Sequence, residues 1–153
     1  MKELREIKFE ALTVEQKISM VTCAQFDPWN RNPEGDEYIY NCIRNRSLGA
    51  VWVYPTTSDY KEIMAKIKEI ADYPLLIITD MEMGFPISEL PPIPLMTLAA
   101  CDNPEYYRSF ARAVVADAKK AGYNGTWNPN VDLGAQQRRI SDDPEVVAKG
   151  AAE

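Results

Sequence analysis

Leu75-Leu76-Ile77-Ile78-Thr79, introduced by Pro74 and ended by Asp80, is the stretch whose reading decides the fold. A continuous apolar run of this length is what a parallel strand buried on both faces looks like, because helices cover both sides of such a sheet. On its N-terminal side a second run, Gly49-Ala50-Val51-Trp52-Val53-Tyr54, is β-branched and aromatic and is stopped by Pro55. Between the two, Thr56, Thr57 and Ser58 offer caps for a helix that carries Tyr60, Ile63, Ile67 and Ile70 on one face. A strand, a helix and a strand joined this way are parallel, since antiparallel neighbours need only a short turn.

Further out the unit repeats. Residues Gly84 to Pro94 hold Pro86, Pro91, Pro92 and Pro94 and form a loop, and a helix restarts at Asn103-Pro104-Glu105, a cap followed by proline at the first turn. Its face is Tyr107, Phe110, Ala111, Val114, Val115 and Ala118, and Gly122 ends it. Tyr123 to Val131 follows as a candidate strand ending near Asp132. Local turn chemistry would read Asn124-Gly125 as a hairpin, but alternating strand and helix units favour the strand. Asp143-Pro144-Glu145 opens a last helix that is cut at Glu153, so the chain reads as truncated.

Towards the N-terminus, Thr13-Val14-Glu15-Gln16 has capping-box spacing, with Val14, Ile18 and Val21 as an apolar stripe. Met20 to Cys23 fits a helix end or a short strand equally well. Phe26 to Glu37 reads as a loop, and Tyr38 to Arg46 as a helix. The fold class is therefore α/β, with three to four parallel β/α units over residues 1–153 taken as a single partial domain. Both an open doubly wound sheet and the first half of a (β/α)8 barrel fit this pattern.

Composition narrows the function. The net charge is −6 and the 17 Lys and Arg residues are scattered, which supplies no footprint for nucleic acid or an anionic membrane and suits a neutral small substrate. No apolar run approaches the roughly 20 residues of a spanning helix, and the charged N-terminus lacks a signal peptide's core, so a cytoplasmic protein is expected. Cys23, Cys42 and Cys101 are odd in number and lack CxxC spacing, as expected of reduced, buried thiols. There is no histidine, which removes Ser-His-Asp and Cys-His catalysis and the usual zinc sites. No glycine-rich phosphate loop occurs either, and no cofactor or metal is expected. The sequons at Asn45 and Asn124 are short enough to arise by chance, and glycosylation is assigned to neither.

In both candidate architectures the loops after the strands build the active site, which puts Asp80 and Glu82 on one rim with Asn128, Asn130 and Asp132. Carboxylates and amides so placed hold sugar hydroxyls or ligate a hard cation such as magnesium. The plainer alternative is that Asp80 and Asp132 are helix caps or loop acceptors. An acid and nucleophile pair of Asp80 and Glu82 is disfavoured, because positions two apart at a strand end need not face the same side. Arg138 and Arg139 are a solvated pair, or one of them clamps substrate oxygens or a rim carboxylate. Of the tryptophans, Trp52 and Trp127 fall in predicted strands and read as core, while Trp29 in its loop is the candidate to stack on a sugar.

Four stretches resemble the N-terminal domain of glycoside hydrolase family 3, the family of β-N-acetylhexosaminidases and β-glucosidases. LTVEQKI (Leu12 to Ile18) resembles its LTLEEKIGQ, and PLLIITDMEMG (Pro74 to Gly84) its PLLIAIDQEGG. AGYNGTWNPNVD (Ala121 to Asp132) resembles GINVNFAPVLDV, and RRISDDPEVV (Arg138 to Val147) resembles RSFGDDPELV. The stretches come in the family's order and spacing over nearly the whole chain. The resemblance implies the N-terminal half of a (β/α)8 TIM-type barrel from a retaining glycosidase acting on β-linked N-acetylglucosamine or glucose. It implies that Asp80 and Arg138 bind sugar, and that Asp132 matches a fourth-strand aspartate of mainly structural role.

The family's GG after Asp-Gln-Glu is Met83-Gly84 here, the arginine that usually follows is Phe85, and the aromatic of RSFG is Ile140. The family's Lys-His motif and nucleophilic aspartate lie further along than residue 153, so no catalytic residue is expected in this chain. The expected partner is a carbohydrate, and the isolated chain is expected to self-associate over the edges of a half barrel. The other reading, from a different class, is a non-catalytic carbohydrate-binding or interaction module.

Overall fold

A computed structural model describes residues 8–134 and 136–153, in two compact units, one ending at Thr79 and the other running Asp80–Glu153. The first unit holds α1 (Val14–Met20), β1 (Cys23–Gln25), α2 (Pro33–Arg44), β2 (Ala50–Trp52), α3 (Tyr60–Ile70) and β3 (Leu76–Thr79). The second holds α4 (Leu95–Ala100), α5 (Pro104–Ala121), β4 (Gly125–Thr126) and α6 (Pro144–Ala152). The alternation of strand and helix is the one expected from the sequence.

In the first unit the strands are parallel, with Ala24 beside Val51 and Val51 beside Ile77. Val51, Ile77, Ile78 and Thr79 are buried, while Leu76 is 53% exposed, so the decisive stretch forms β3 but is covered on both faces only towards its C-terminal end. α2 and α3 pack together, and Ile43 and Ile67 on them are buried, as are Phe26, Val53 and Tyr73. Tyr73 carries its one polar atom inward and satisfies it: its hydroxyl donates to Leu48 O at 2.7 Å. Burial first, then the nearby Asp72 charge, pushes its pKa up to about 12.

The turn out of α2 shows how local chemistry places β2. Ser47 N donates to Cys42 O at 2.8 Å and Arg46 N to Ile43 O at 3.0 Å, the two bonds of a Schellman ending. The left-handed position that glycine usually fills is Arg46, at φ 55°. Its guanidinium holds the carboxylate of Asp72 with both arms, Nε at 3.0 Å and Nη2 at 2.6 Å. Gly49 follows, where a Cβ would sit 1.8 Å from Met20 O, so only glycine lets the chain pass there.

The second unit has its own core of Leu95, Leu98, Ile140 and Val147, against which Tyr107, Phe110 and Ala151 pack. α5 is capped by Asn103, whose side chain accepts from Glu105 N, and ends on left-handed Gly122 at φ 97°. α6 repeats the cap, with Asp143 accepting from Glu145 N ahead of Pro144. Ile140, where the resembling motif has an aromatic, is a core residue.

Several expectations are corrected. α2 begins at Pro33 rather than Tyr38, because Asn32 caps Glu34 N and Pro33 takes the first turn, the same cap and proline pair recognised at Asn103 and Asp143. α3 is preceded by Asp59, without a side-chain cap, while Thr57 Oγ1 donates back to Tyr54 O. α4 was not foreseen, since five apolar or small residues in six carry no helical period. β4 is two residues long rather than nine. Of the face expected on α5, Ala111 and Val115 are exposed. The stripe on α1 faces solvent, with Val14, Ile18 and Val21 exposed at 66%, 59% and 85%. The thiols are free, but Cys23 and Cys101 are exposed and Cys42 is half-buried. Among the described residues no helix is long and apolar enough to cross a membrane.

Candidate functional site

The second unit opens on Asp80, the residue that ends the decisive run, and the segment Asp80 to Gly84 is fixed from several sides. Asn128 accepts the Met81 backbone N–H on its Oδ1 at 2.9 Å, and the same oxygen accepts from Thr126 Oγ1 at 3.0 Å. Asn130 Nδ2 donates to Glu82 Oε1 at 3.2 Å, while Asn130 Oδ1 accepts Asp132 N at 3.0 Å. The loop after β4 is therefore fastened to the segment Asp80 to Glu82 by two asparagine side chains. A cis peptide joins Asn128 to Pro129 within it.

Arg138 reaches the same place from the loop before α6: its Nη2 lies 3.5 Å from Glu82 Oε1. The guanidinium thus clamps a rim carboxylate, one of the two roles considered for it. Its side chain is half exposed, and such a pair contributes at most about 1 kcal/mol to stability. Arg139 turns the other way and donates to Leu133 O at 2.6 Å. Arg138 alone stays at the rim.

Asp80 is half-buried, and among the described residues no hydrogen bond engages its carboxylate. Its pKa is raised above 3.8, first by desolvation and then by the charge of Glu82, with Arg138 opposing. Two cavities meet at these carboxylates. One, of about 230 Å³, is lined by Asp80, Glu82, Trp127, Asn128, Asn130 and Asp132, with Pro129 and Val131. The other, of about 620 Å³, is bounded by Asp80, Glu82, the proline-rich loop and one side of α5.

Of the residues expected at the site, Asp80 and Asp132 line the smaller cavity and Arg138 is bound to Glu82 on its wall. Asp80 and Glu82 do share one space, which their spacing at a strand end did not guarantee. Trp29 lines neither cavity; it belongs to the first unit and lies against Tyr54 at 5.5 Å between ring centroids. Trp127, read from the sequence as core, is instead 53% exposed on the cavity wall. The signal that would have found it is the following Asn128-Pro129, which ends the strand early and turns Trp127 into a loop residue. Phe85, where the resembling motif continues with an arginine, is buried against Tyr123 at 5.6 Å between ring centroids.

The arrangement offers hydrogen-bond acceptors and an exposed indole around one cavity. Among the described residues no group of three or more His, Cys, Asp or Glu is placed to hold a metal ion.

Comparison with known proteins places the fold. No protein-family model matches the chain, and no curated protein matches it by sequence. Solved structures do. A glycoside hydrolase family 3 beta-N-acetylglucosaminidase from Paenibacillus sp. str. FPU-7 superposes with a TM-score of 0.69 at 20% identity, over 92% of this chain and 30% of that one. The beta-N-acetylglucosaminidase from Thermotoga maritima gives a TM-score of 0.67 at 21% identity, over 88% of this chain and 30% of that one. LpqI of M. tuberculosis gives a TM-score of 0.64 at 18% identity, over 94% of this chain and 44% of that one. The fold is that of the N-terminal, TIM-barrel-like portion of these proteins, and the chain spans between 30% and 44% of their lengths.

Proposed function

We propose that this chain is the N-terminal half barrel of a family 3 type glycosidase and that its own part in the work is to bind a sugar, not to cleave the bond. The observation that carries the reading is Asp80: a half-buried carboxylate that accepts no hydrogen bond from the described residues, in a cavity that Trp127 also lines. A carboxylate in a partly desolvated setting accepts paired sugar hydroxyls strongly, and an indole face covers the apolar C–H side of a pyranose. The likeness of fold to two β-N-acetylglucosaminidases, together with the order of the four motifs, supports β-linked N-acetylglucosamine or glucose as the sugar.

Glu82 is engaged by Asn130 and Arg138, so its role is to hold the rim in place. Asp132, whose backbone is turned by Asn130, supplies a second acceptor on the cavity wall. The nucleophile and the proton donor are assigned to the remainder of a longer enzyme, and the chain, with no histidine, performs no hydrolysis by itself. We also propose that the isolated chain pairs with a second copy, for which the exposed Val14, Ile18 and Val21 stripe on α1 supplies an apolar face.

Titration of N-acetylglucosamine and of glucose, followed by tryptophan fluorescence and by amide chemical shifts, tests the binding. The expected result is a saturable shift confined to residues 80–84 and 126–132, with no turnover of an aryl N-acetyl-β-glucosaminide. Shifts elsewhere, or none, would remove the reading.

A further inference from the structure

The larger cavity, between the proline-rich loop and α5, carries charge of one sign only. Phe85, Leu90, Leu98, Phe110 and Val114 give it predominantly apolar walls, and of its described lining residues only Asp80 and Glu82 are charged, both acidic. Its volume of about 620 Å³ lies inside the roughly 300–1,000 Å³ of small-molecule pockets. Arg138, 3.5 Å from Glu82, does not line this cleft.

The cleft is built by specific bonds. Ser88 Oγ donates to Asp117 Oδ2 at 2.6 Å, which ties the proline-rich loop to α5, and Ile93 N donates to Met83 O at 2.8 Å and closes the loop on itself. Asp117 is thereby committed, to Ser88 on one oxygen and to Lys120 at 3.1 Å on the other. Glu82 is committed to Asn130 and Arg138. Asp80 is the carboxylate on the cleft wall that accepts no hydrogen bond from the described residues.

From this charge pattern we infer a ligand class other than sugars: a small alkyl- or aryl-ammonium ion, with its chain or ring against the apolar walls and its N–H groups donating to Asp80. The inference uses only the cleft and its carboxylates, and it stands whether or not the chain binds a sugar. A neutral polar head would leave the Asp80 charge without a counter-charge, and an anionic head would add a third negative charge. An ammonium supplies the missing sign and makes charge-assisted hydrogen bonds, about twice as strong as neutral ones. Desolvation, then the charge of Glu82, favours the protonated form of Asp80, and a cation beside it restores the ionised one. Because Asp80 also lines the small polar cavity, the ion excludes any other ligand of that carboxylate.

The test is calorimetric titration of butyl- and octylammonium, below the concentrations at which they aggregate, with octanol and octanoate as the same chain without the positive charge. Wild type is compared with Asp80→Asn, and with Ala113→Trp and Ser109→Phe, which fill the cleft from the side of α5, Ser109 being exposed so that its replacement leaves folding intact. With each buried methylene contributing up to about fourfold, affinity is expected to rise at least about tenfold from butyl- to octylammonium. Octylammonium is expected to bind at least about tenfold more tightly than octanol, and octanoate not at all. Asp80→Asn is expected to weaken octylammonium by about tenfold or more and leave octanol unchanged. Both filled variants are expected to abolish the rise with chain length.

Octanol or octanoate binding as tightly as octylammonium overturns the inference, since the charges on the wall would then not select the ligand. A flat chain-length series, an octylammonium affinity unchanged in Asp80→Asn, or a rise that persists in both filled variants also overturns it, since the ion would then be seated elsewhere. No binding of octylammonium by folded wild type does the same. Each of these results leaves the sugar reading standing, because that reading is tested separately with N-acetylglucosamine and glucose.

Discussion

Asn130 donates its side-chain amide to the Glu82 carboxylate at 3.2 Å, and through this bond the loop after β4 is held against the segment that presents Asp80. The same side chain turns the backbone of Asp132 through its other end. Asn130→Ala is therefore expected to loosen two walls of the polar cavity at once. A hydrogen bond to a charged group contributes about 1.5–3 kcal/mol, and partial exposure reduces this to about 1 kcal/mol. Thermal unfolding should report a modest loss, and sugar affinity should fall at least several-fold as the acceptors lose their alignment.

The raised pKa of Asp80 gives the site a pH dependence. Desolvation and the Glu82 charge favour the protonated form in the folded chain, with Arg138 opposing. The unfolded chain releases its proton first as pH rises, so ionising Asp80 opposes folding, fully so above the folded pKa, and the effect disappears below the unfolded value. Sugar binding runs the other way, because it uses the ionised form. Affinity should fall with acidification at a pH above that of an ordinary aspartate. In Glu82→Gln the midpoint should move down, and in Arg138→Met it should move up.

Gly49 tests the packing of the first unit. A methyl group there would meet Met20 O at 1.8 Å, and that oxygen belongs to backbone which cannot rotate away. Gly49→Ala should destabilise the chain by about 1–3 kcal/mol, the usual range for an overfilled core. Chemical denaturation measures this directly, and an unchanged midpoint would show that α1 yields freely.

Exposed Ile18 and Val21 form part of the face proposed to pair two copies. Sedimentation of the isolated chain is expected to show concentration-dependent association, and Ile18→Glu should shift the equilibrium to monomer without loss of helix. A single monomeric species at every concentration would contradict the pairing.

Much of this structure is legible in the sequence because its signals are local. The Thr13 and Gln16 capping box, the Asn103-Pro104 start and the Gly122 stop each fix a helix end through backbone bonds made within a few residues. The apolar run into Asp80 marks β3 through the burial its side chains require, although its backbone bonds go to β2. What escaped is set by competition between signals. Asn32-Pro33 is as good a helix start as Asn103-Pro104, yet it sits among turn-forming neighbours that mask it. α4 has no polar face to give it a period.

The candidate site divides in the same way. Asp80, Arg138 and Asp132 follow motifs, and the structure gathers them with Glu82 in the second unit. Trp127 depends on where a strand stops, and that is decided by Asn128-Pro129 and by the hydrogen bonds of Asn128 to Met81 and Thr126. Those bonds join residues up to 47 positions apart, beyond the reach of any local rule.

The most direct measurement is the affinity of the chain for N-acetylglucosamine and glucose by titration calorimetry, wild type against Asp80→Asn, with folding of both verified by circular dichroism. The account predicts saturable binding of at least one sugar by wild type and a loss of about tenfold or more in Asp80→Asn, as removal of a charged hydrogen-bond acceptor requires. Equal affinities in the two proteins, or no sugar bound by folded wild type, would contradict it.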